Sequence, residues 1–409
     1  MTVEDSVVVT GVGTVSAAGI GRRALVAALE EGRMDLTEID RSAGFHPPAS
    51  ARQAALVGRI GLSDWIPPAR ARRMSAPSRY AVAAASMALE DAAVPRGGAI
   101  DPDLGVCLAT VFGPSHHTQR LLDQVLTEGP AFASPATFTE CVANAPTGQV
   151  AIFCRASGPS YTIVNREAGP LLAVGRGAGI VRRGAARRVL AGASEEMIPI
   201  LHAVLDRFGA LARATTEHPK EVARPLDRRR NGFIAAEGGS VLLLERATDA
   251  DRRGVKPIAA IRGSGSAFDA SASPAGWGSG AEALSRGLLT TLRRCGLAPQ
   301  QIDLIVSGAS GSVAGDKLEA RTLAMAWGDA ALPPIVVPKA VTGEYGGAFL
   351  AAAFLLASGE DPGRTAVIEE PQTEVATRSS YAGTKKIRHV LVTSLASGGA
   401  AAWVVLERM

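Results

Sequence analysis

The 409-residue sequence predicts an α/β fold, and three observations carry that prediction. Runs of β-branched residues alternate with stretches of helical apolar spacing along the whole chain, the pattern of a sheet covered by helices. The opening run VVVTGVGTVSAAG (7 to 19) has an echo in LIVSGASGSVAGD (304 to 316), a strand, a small-residue turn and a helix each time, which predicts a duplicated core. Hydrophobic residues make up 47% of the chain but aromatics only 4%, so Ala, Val, Leu and Ile must fill the interior, with 45 glycines allowing close approach of elements.

Taken in order, strands are predicted near 6–12, 104–110, 161–165, 188–193, 239–245, 256–264, 303–307, 334–337, 365–369, 388–394 and 401–407, where Val, Ile, Leu and Thr cluster between turn residues. Helices are predicted near 21–31, 78–93, 115–127, 168–183, 279–296, 316–327 and 346–358 from their apolar periodicity. Small, polar or charged residues gather in 42–53, 212–222, 267–280 and 371–385, which read as loops. The charged stretch 247–256 is too short for a flexible linker, so two halves, 1–250 and 251–409, are expected to form one rigid unit.

Composition narrows the function. The four cysteines (Cys107, Cys141, Cys154, Cys295) show neither CxxC nor His-Cys spacing, so no metal site and no disulfide framework is expected, and a reducing cytoplasm is the natural setting. The N-terminus lacks a basic targeting region, and no run reaches the roughly 20 apolar residues of a membrane span. The net charge is +4, and most of the basic side chains are arginines. Clusters at Arg70, Arg72 and Arg73, at Arg182, Arg183, Arg187 and Arg188, and at Arg228–Arg230 suit an acidic partner or a solvated face. No aromatic residues interleave them, so nucleic acid is not the expected partner. The turn GVGTVSAAG lacks the spacing of a dinucleotide fingerprint, and no cofactor is expected.

The most informative run is GPSYTIVNREAGPLLAVGRGA (158 to 178). Its short strand followed by helical spacing places residues 165–167 in a sharp strand-to-helix turn, which presents one side chain beside a helix N-terminus. A thiol there would be activated as a nucleophile. The residue is Glu167, whose negative charge the helix dipole would favour by about 0.3 to 1 kcal/mol. First-turn acids are also common in ordinary helices.

Several further blocks resemble the β-ketoacyl synthases of the thiolase superfamily. They are SVVVTGVGTVSAAGIGRRALVAALEEG (6 to 32), RRMSAPSRYAVAAASMALEDA (72 to 92), ARPLDRRRNGFIAAEGGSVLLLE (223 to 245), SGASGSVAGDKLEA (307 to 320), VPKAVTGEYGGA (337 to 348) and SLASGGAAAWVVLE (394 to 407). The resemblance implies a thiolase fold, a duplicated α-β-α-β-α layered sandwich. It also implies that Glu167 stands at the nucleophilic cysteine's position, and Gly308 and Glu344 at those of the two catalytic histidines. Lys339, Asp316, Lys317 and Glu319 match retained framework positions, and Leu395, Ala396 and Ser397 stand where the family has Phe, Gly and Phe.

Within the family, the chain is most similar to the chain-length factor, or ketosynthase β subunit, of type II polyketide synthases. Ala168 and Gly169 match that branch, while Glu167 departs from its glutamine and Glu344 from its basic residue. The resemblance implies a non-condensing subunit that pairs with an active ketosynthase α subunit, receives chains from an acyl carrier protein and shapes the elongation tunnel. Phe112, Leu121, Leu122, Phe132 and Phe138 are its tunnel candidates, being bulky residues of the segment 110–141 through which paired chains complete each other's pockets. The alternative is an independent enzyme, such as a malonyl-carrier protein decarboxylase, with Glu167 and Glu344 as a paired acid and base.

Overall fold

A computed structural model describes residues 6–58, 60–95, 97–217, 219–359 and 387–409. The predicted strand at 365–369 and the loop at 371–385 lie outside the described residues.

One sheet path runs through the molecule. From one edge its strands are Ile335–Val336, Leu304–Val306, His389–Leu395, Ala400–Glu407, Ala259–Phe268, Val7–Ser16, Gly238–Arg246, Arg188–Glu195, Leu104–Thr110 and Ser160–Val164. Each half of this path has the same plan, three parallel strands followed by two antiparallel ones. The halves join where Val7–Val9 pairs with Ala259–Ile261.

The duplication is therefore real, but the echo pairs the wrong strands. Val7–Ser16 corresponds in topology to Ala259–Phe268, and Leu304–Val306 to Leu104–Thr110. A β-branched run before a small-residue turn recurs at several strand ends, so similarity of pattern does not identify topological equivalents.

Five layers follow from what each helix covers. Helix Ala76–Asp91, capped by the Ser75 side chain on the Ser78 N–H, lies against strand Val7–Ser16 on one outer face. Its approach is so close that a Cβ at Gly11 or Gly13 would stand 2.0 or 1.9 Å from the carbonyl oxygens of Ala88 or Ala84. Helices Ala281–Arg294 and Val313–Trp327 cover the other outer face. Between the half-sheets lie helices Gly169–Arg182 and Ala348–Ser358, each touching strands of both halves. Phe349, Leu350, Phe354 and Leu355 are all buried there, and each is worth about 1.5 to 3 kcal/mol relative to exposure. This middle layer fixes one half against the other, and both middle helices begin beside the candidate site.

The predicted helices and most strands are present within a few residues of their expected bounds. Two helices of nine residues were not anticipated, nor were the short ones at Pro68–Ala71, Pro135–Phe138, Ala247–Arg252 and Lys339–Thr342. Ala145–Phe153 carries a proline and a glycine that mask its periodicity, and Pro199–Arg207 is only nine residues long. Among the described residues no helix is long and apolar enough to cross a membrane.

Candidate functional site

Strand Ser160–Val164 runs parallel to Leu104–Thr110, and the chain leaves it through a turn in which the Asn165 N–H donates to the Thr110 carbonyl at 3.1 Å. Helix Gly169–Arg182 starts immediately afterwards, with Pro170 in its first turn. The predicted strand-to-helix turn is thus present, and Glu167 lies in it, buried. Its backbone carbonyl accepts from Ser394 Oγ at 2.7 Å. Its carboxylate accepts from the Ser397 N–H at 3.0 Å, from Ser397 Oγ at 3.2 and 3.3 Å, and from Tyr345 Oη at 3.3 Å.

The small preference of the helix dipole for a charged Glu167 is outweighed. Burial, reinforced by the nearby Glu344 carboxylate, pushes its pKa up to about 7. A terminal dipole worth at most about 1 kcal/mol does not offset removal of a carboxylate from water. Arg166 donates through Nη1 to the same Ser397 Oγ at 3.0 Å.

Lys339 and Glu344 form a closed pair. The ammonium reaches both carboxylate oxygens, at 2.7 and 2.8 Å, and lies 4.9 Å from the centre of the Phe349 ring. The Glu344 backbone is fixed by two 2.8 Å hydrogen bonds, its N–H to Ile234 and its carbonyl from the Ala236 N–H. Tyr345 follows with φ of 74°, its ring edge-on to Phe112 and Phe233 at 5.2 and 5.7 Å. The structure therefore brings Glu167 and Glu344 together, as the acid–base alternative requires. Glu344, however, is committed to Lys339.

Gly308 cannot hold a side chain. A Cβ there would meet the Thr393 carbonyl oxygen at 2.6 Å and Ser394 Cα at 2.9 Å. Gly308→Ala is accordingly expected to lower stability by about 1 to 3 kcal/mol in thermal or urea unfolding, and Gly308→His by more. The framework residues are staples of the same loop. Asp316 accepts N–H groups of Leu226, Ser310 and Gly311 at 2.8, 3.1 and 3.1 Å, and burial pushes its pKa up to about 7. Glu319 accepts Ser307 Oγ at 2.6 Å and the Thr393 hydroxyl, and burial raises its pKa as well.

Two spaces meet at Arg166, Glu167 and Tyr345. The inner one, about 20 Å³, is lined by Thr110, Asn165, Glu167, Glu195, Lys339 and Glu344 among others, and has the room of about one water molecule. The outer cleft, about 410 Å³, is walled by Phe112, Val204, Phe208, Phe233 and Trp277. Arg166, Glu167 and Tyr345 border both spaces, and Ser397 borders the cleft. No cysteine lines either space, and among the described residues no group of three or more His, Cys, Asp or Glu side chains is placed to hold a metal.

Of the tunnel candidates only Phe112 lines the cleft. Leu121 is half-buried, while Leu122, Phe132 and Phe138 are exposed, because helix Ser115–Glu128 and the short turns after it form a lobe on the surface. Sequence reasoning did not single out Tyr345 or Glu195 and noted Ser397 only as a lost gate. Glu195 accepts Thr110 Oγ1 at 2.6 Å, and burial pushes its pKa up to about 8.

Residues 4–250 match the beta-ketoacyl synthase N-terminal domain, and residues 258–357 match the beta-ketoacyl synthase C-terminal domain. The chain belongs to the beta-ketoacyl synthase family. It is 32% identical to the granaticin polyketide putative beta-ketoacyl synthase 2 of Streptomyces violaceoruber, over 85% of this chain and 82% of that protein. Among solved structures it is similar to the ishigamide ketosynthase/chain length factor, with a TM-score of 0.83 and 27% identity over 99% of both chains. A complex of a type II PKS acyl-carrier protein with its ketosynthase matches with a TM-score of 0.84 at 22% identity, again over 99% of both chains, a likeness of fold. The layered sandwich is thus the thiolase-like ketosynthase fold, as the sequence motifs imply.

Proposed function

We propose that this ketosynthase-family chain is a non-condensing subunit of a type II polyketide synthase, a chain-length factor that pairs with an active ketosynthase and shapes the elongation tunnel. The observation that carries this reading is the filled nucleophile position. Glu167 takes the place of a thiol in a space with room for about one water, beside a closed Lys339–Glu344 pair and a Gly308 that admits no side chain. Glu344 opens only onto the inner space, where a malonyl group does not fit, and is committed to Lys339, which disfavours decarboxylation by Glu167 and Glu344 as a pair.

The surface supports a partner. Strand Ser160–Val164 ends the sheet, and among the described residues no strand pairs with its outer edge. Tyr161 and Val164 on it are exposed. A Thr162–Thr147 hydrogen bond ties this edge to helix Ala145–Phe153, and Gln149 ties that helix to Glu140 of the surface lobe. Ile152, Leu126, Phe132 and Phe138, all more than half exposed, lie on these elements. An open strand edge with exposed apolar side chains is the signature of an interface. In this reading the tunnel candidates of the lobe face the partner's pocket, and an acyl carrier protein delivers the chains. The relatives' names, polyketide beta-ketoacyl synthase 2 and ketosynthase/chain length factor, agree with it.

The test is reconstitution with an active type II ketosynthase α subunit from the same source, its carrier protein and malonyl donors. Glu167→Gln in this chain is expected to leave chain elongation by the complex within about twofold, since Glu167 takes no part in condensation. Omitting the chain is expected to abolish elongation or change product length. Full elongation of unchanged length without it contradicts the proposal.

A further inference from the structure

The floor of the outer cleft holds a constellation that a purely structural subunit does not need. Strands His389–Leu395 and Ala400–Glu407 are joined by a tight turn, closed by the Gly399 N–H on the Ala396 carbonyl at 3.1 Å, with Gly398 at φ of 87°. The Gly398 N–H is pinned to the Gly276 carbonyl at 2.8 Å, so the turn is fixed. Ser397, second in this turn, lines the cleft with Oγ 3.2 and 3.3 Å from the two carboxylate oxygens of Glu167. Arg166 donates to the same Oγ at 3.0 Å and is the one cation among the described residues lining the cleft. The walls above are apolar and aromatic, and a cleft of about 410 Å³ lies within the range of small-molecule sites.

We propose that Ser397 is a nucleophile, with Glu167 as its base and Arg166 as the cation beside the developing charge, and that the cleft hydrolyses activated acyl esters, including the thioester of an acyl carrier. This goes beyond the non-condensing role, because it gives the chain a reaction of its own. Ser397 Oγ forms a bond to the acyl carbon while its proton passes to the Glu167 carboxylate. Collapse of the tetrahedral adduct breaks the carbon–sulfur or carbon–oxygen bond, and the leaving thiol or alcohol takes that proton. Water, deprotonated by Glu167, then attacks the acyl-serine. The carbon–Oγ bond breaks, the acid is released and the serine regains its proton.

The acyl group is specified by the walls. Phe112, Phe208, Phe233 and Trp277 offer a chain or ring apolar contact, and the described residues lining the cleft include no second cation for a dianionic one. Glu167 titrates near pH 7, where a general base is most effective. The rate is therefore expected to rise as pH increases through about 7 and then level off.

The experiment uses the full chain, alone or with its copurified partner, incubated with hexanoyl-N-acetylcysteamine and separately with p-nitrophenyl hexanoate. Intact mass read on this chain is expected to show one hexanoyl group, mapped to the peptide containing Ser397. Ser397→Ala and Ser397→Gly, each checked for an unchanged melting curve, are expected to abolish adduct and turnover. Glu167→Gln is expected to lower the rate by about 100-fold or more and to remove its rise with pH. Hydrolysis of the thioester as well as the phenyl ester assigns the carrier-borne class, and hydrolysis of the phenyl ester alone restricts the site to oxygen esters. An unmodified chain with hydrolysis at the buffer rate, or turnover that survives both serine variants, overturns the proposal. Because the adduct is read on this chain by mass, the result is independent of whether the chain assembles with a ketosynthase.

Discussion

Replacing Lys339 with methionine is expected to destabilise the chain by about 3 to 5 kcal/mol, because it strands the Glu344 carboxylate without its counter-charge. Both side chains are buried, at 2% and 3% exposure, and the contact is bidentate at 2.7 and 2.8 Å. A water-exposed ion pair would be worth less than about 1 kcal/mol, so the size of the loss reports burial directly. Lys339→Met combined with Glu344→Leu is expected to recover most of the loss, since the pair as a whole contributes little beyond its own desolvation. Urea unfolding of the three variants measures this. A single-variant loss below about 1 kcal/mol would show that water reaches the pair, and the closed inner site would then be wrong.

Stability is expected to fall by an amount on the order of several kcal/mol between about pH 4.5 and pH 8. Six buried carboxyls among the described residues carry the effect, Glu237 and Glu319 being raised by burial along with four others. Burial pushes Glu167, Glu196 and Asp316 up to about 7 and Glu195 up to about 8, each from an ordinary value near 4. Across that window the folded chain holds protons that the unfolded chain has released, so each unit of pH shifts the balance toward unfolding. The contribution is complete below the unfolded values and lost as pH rises through the folded ones. Glu407, held low by its hydrogen bonds from Arg388 and Arg262, acts in the opposite sense and only in acid. Unfolding free energies at pH 5, 6.5 and 8 check the sign, and a flat or rising series contradicts it.

The parts of this molecule that were legible in the sequence are those that depend on near neighbours. Strand Leu104–Thr110 and helix Ser115–Glu128 announce themselves by local pattern, and the turn at Glu167 by a strand signal running into a helical one. The resemblance to the family's motifs pointed to Gly308, Lys339 and Glu344. What local pattern cannot carry is contact across the chain. Ser397 and Tyr345 reach Glu167 from 230 and 178 positions away, on the hairpin turn and on the loop before a middle helix. The charge of Glu167 was left open by the sequence for the same reason. Its helix dipole is local, whereas its burial takes Lys339, Glu344 and Tyr345 of the other half as well as its own neighbours.

Pairing with a ketosynthase is decided by native mass spectrometry of the chain, expressed alone and together with an active type II ketosynthase α subunit from the same source. A one-to-one heterodimer is expected, forming in preference to any self-association and weakened by Val164→Asp at the open strand edge. A stable homodimer that ignores the ketosynthase would contradict it.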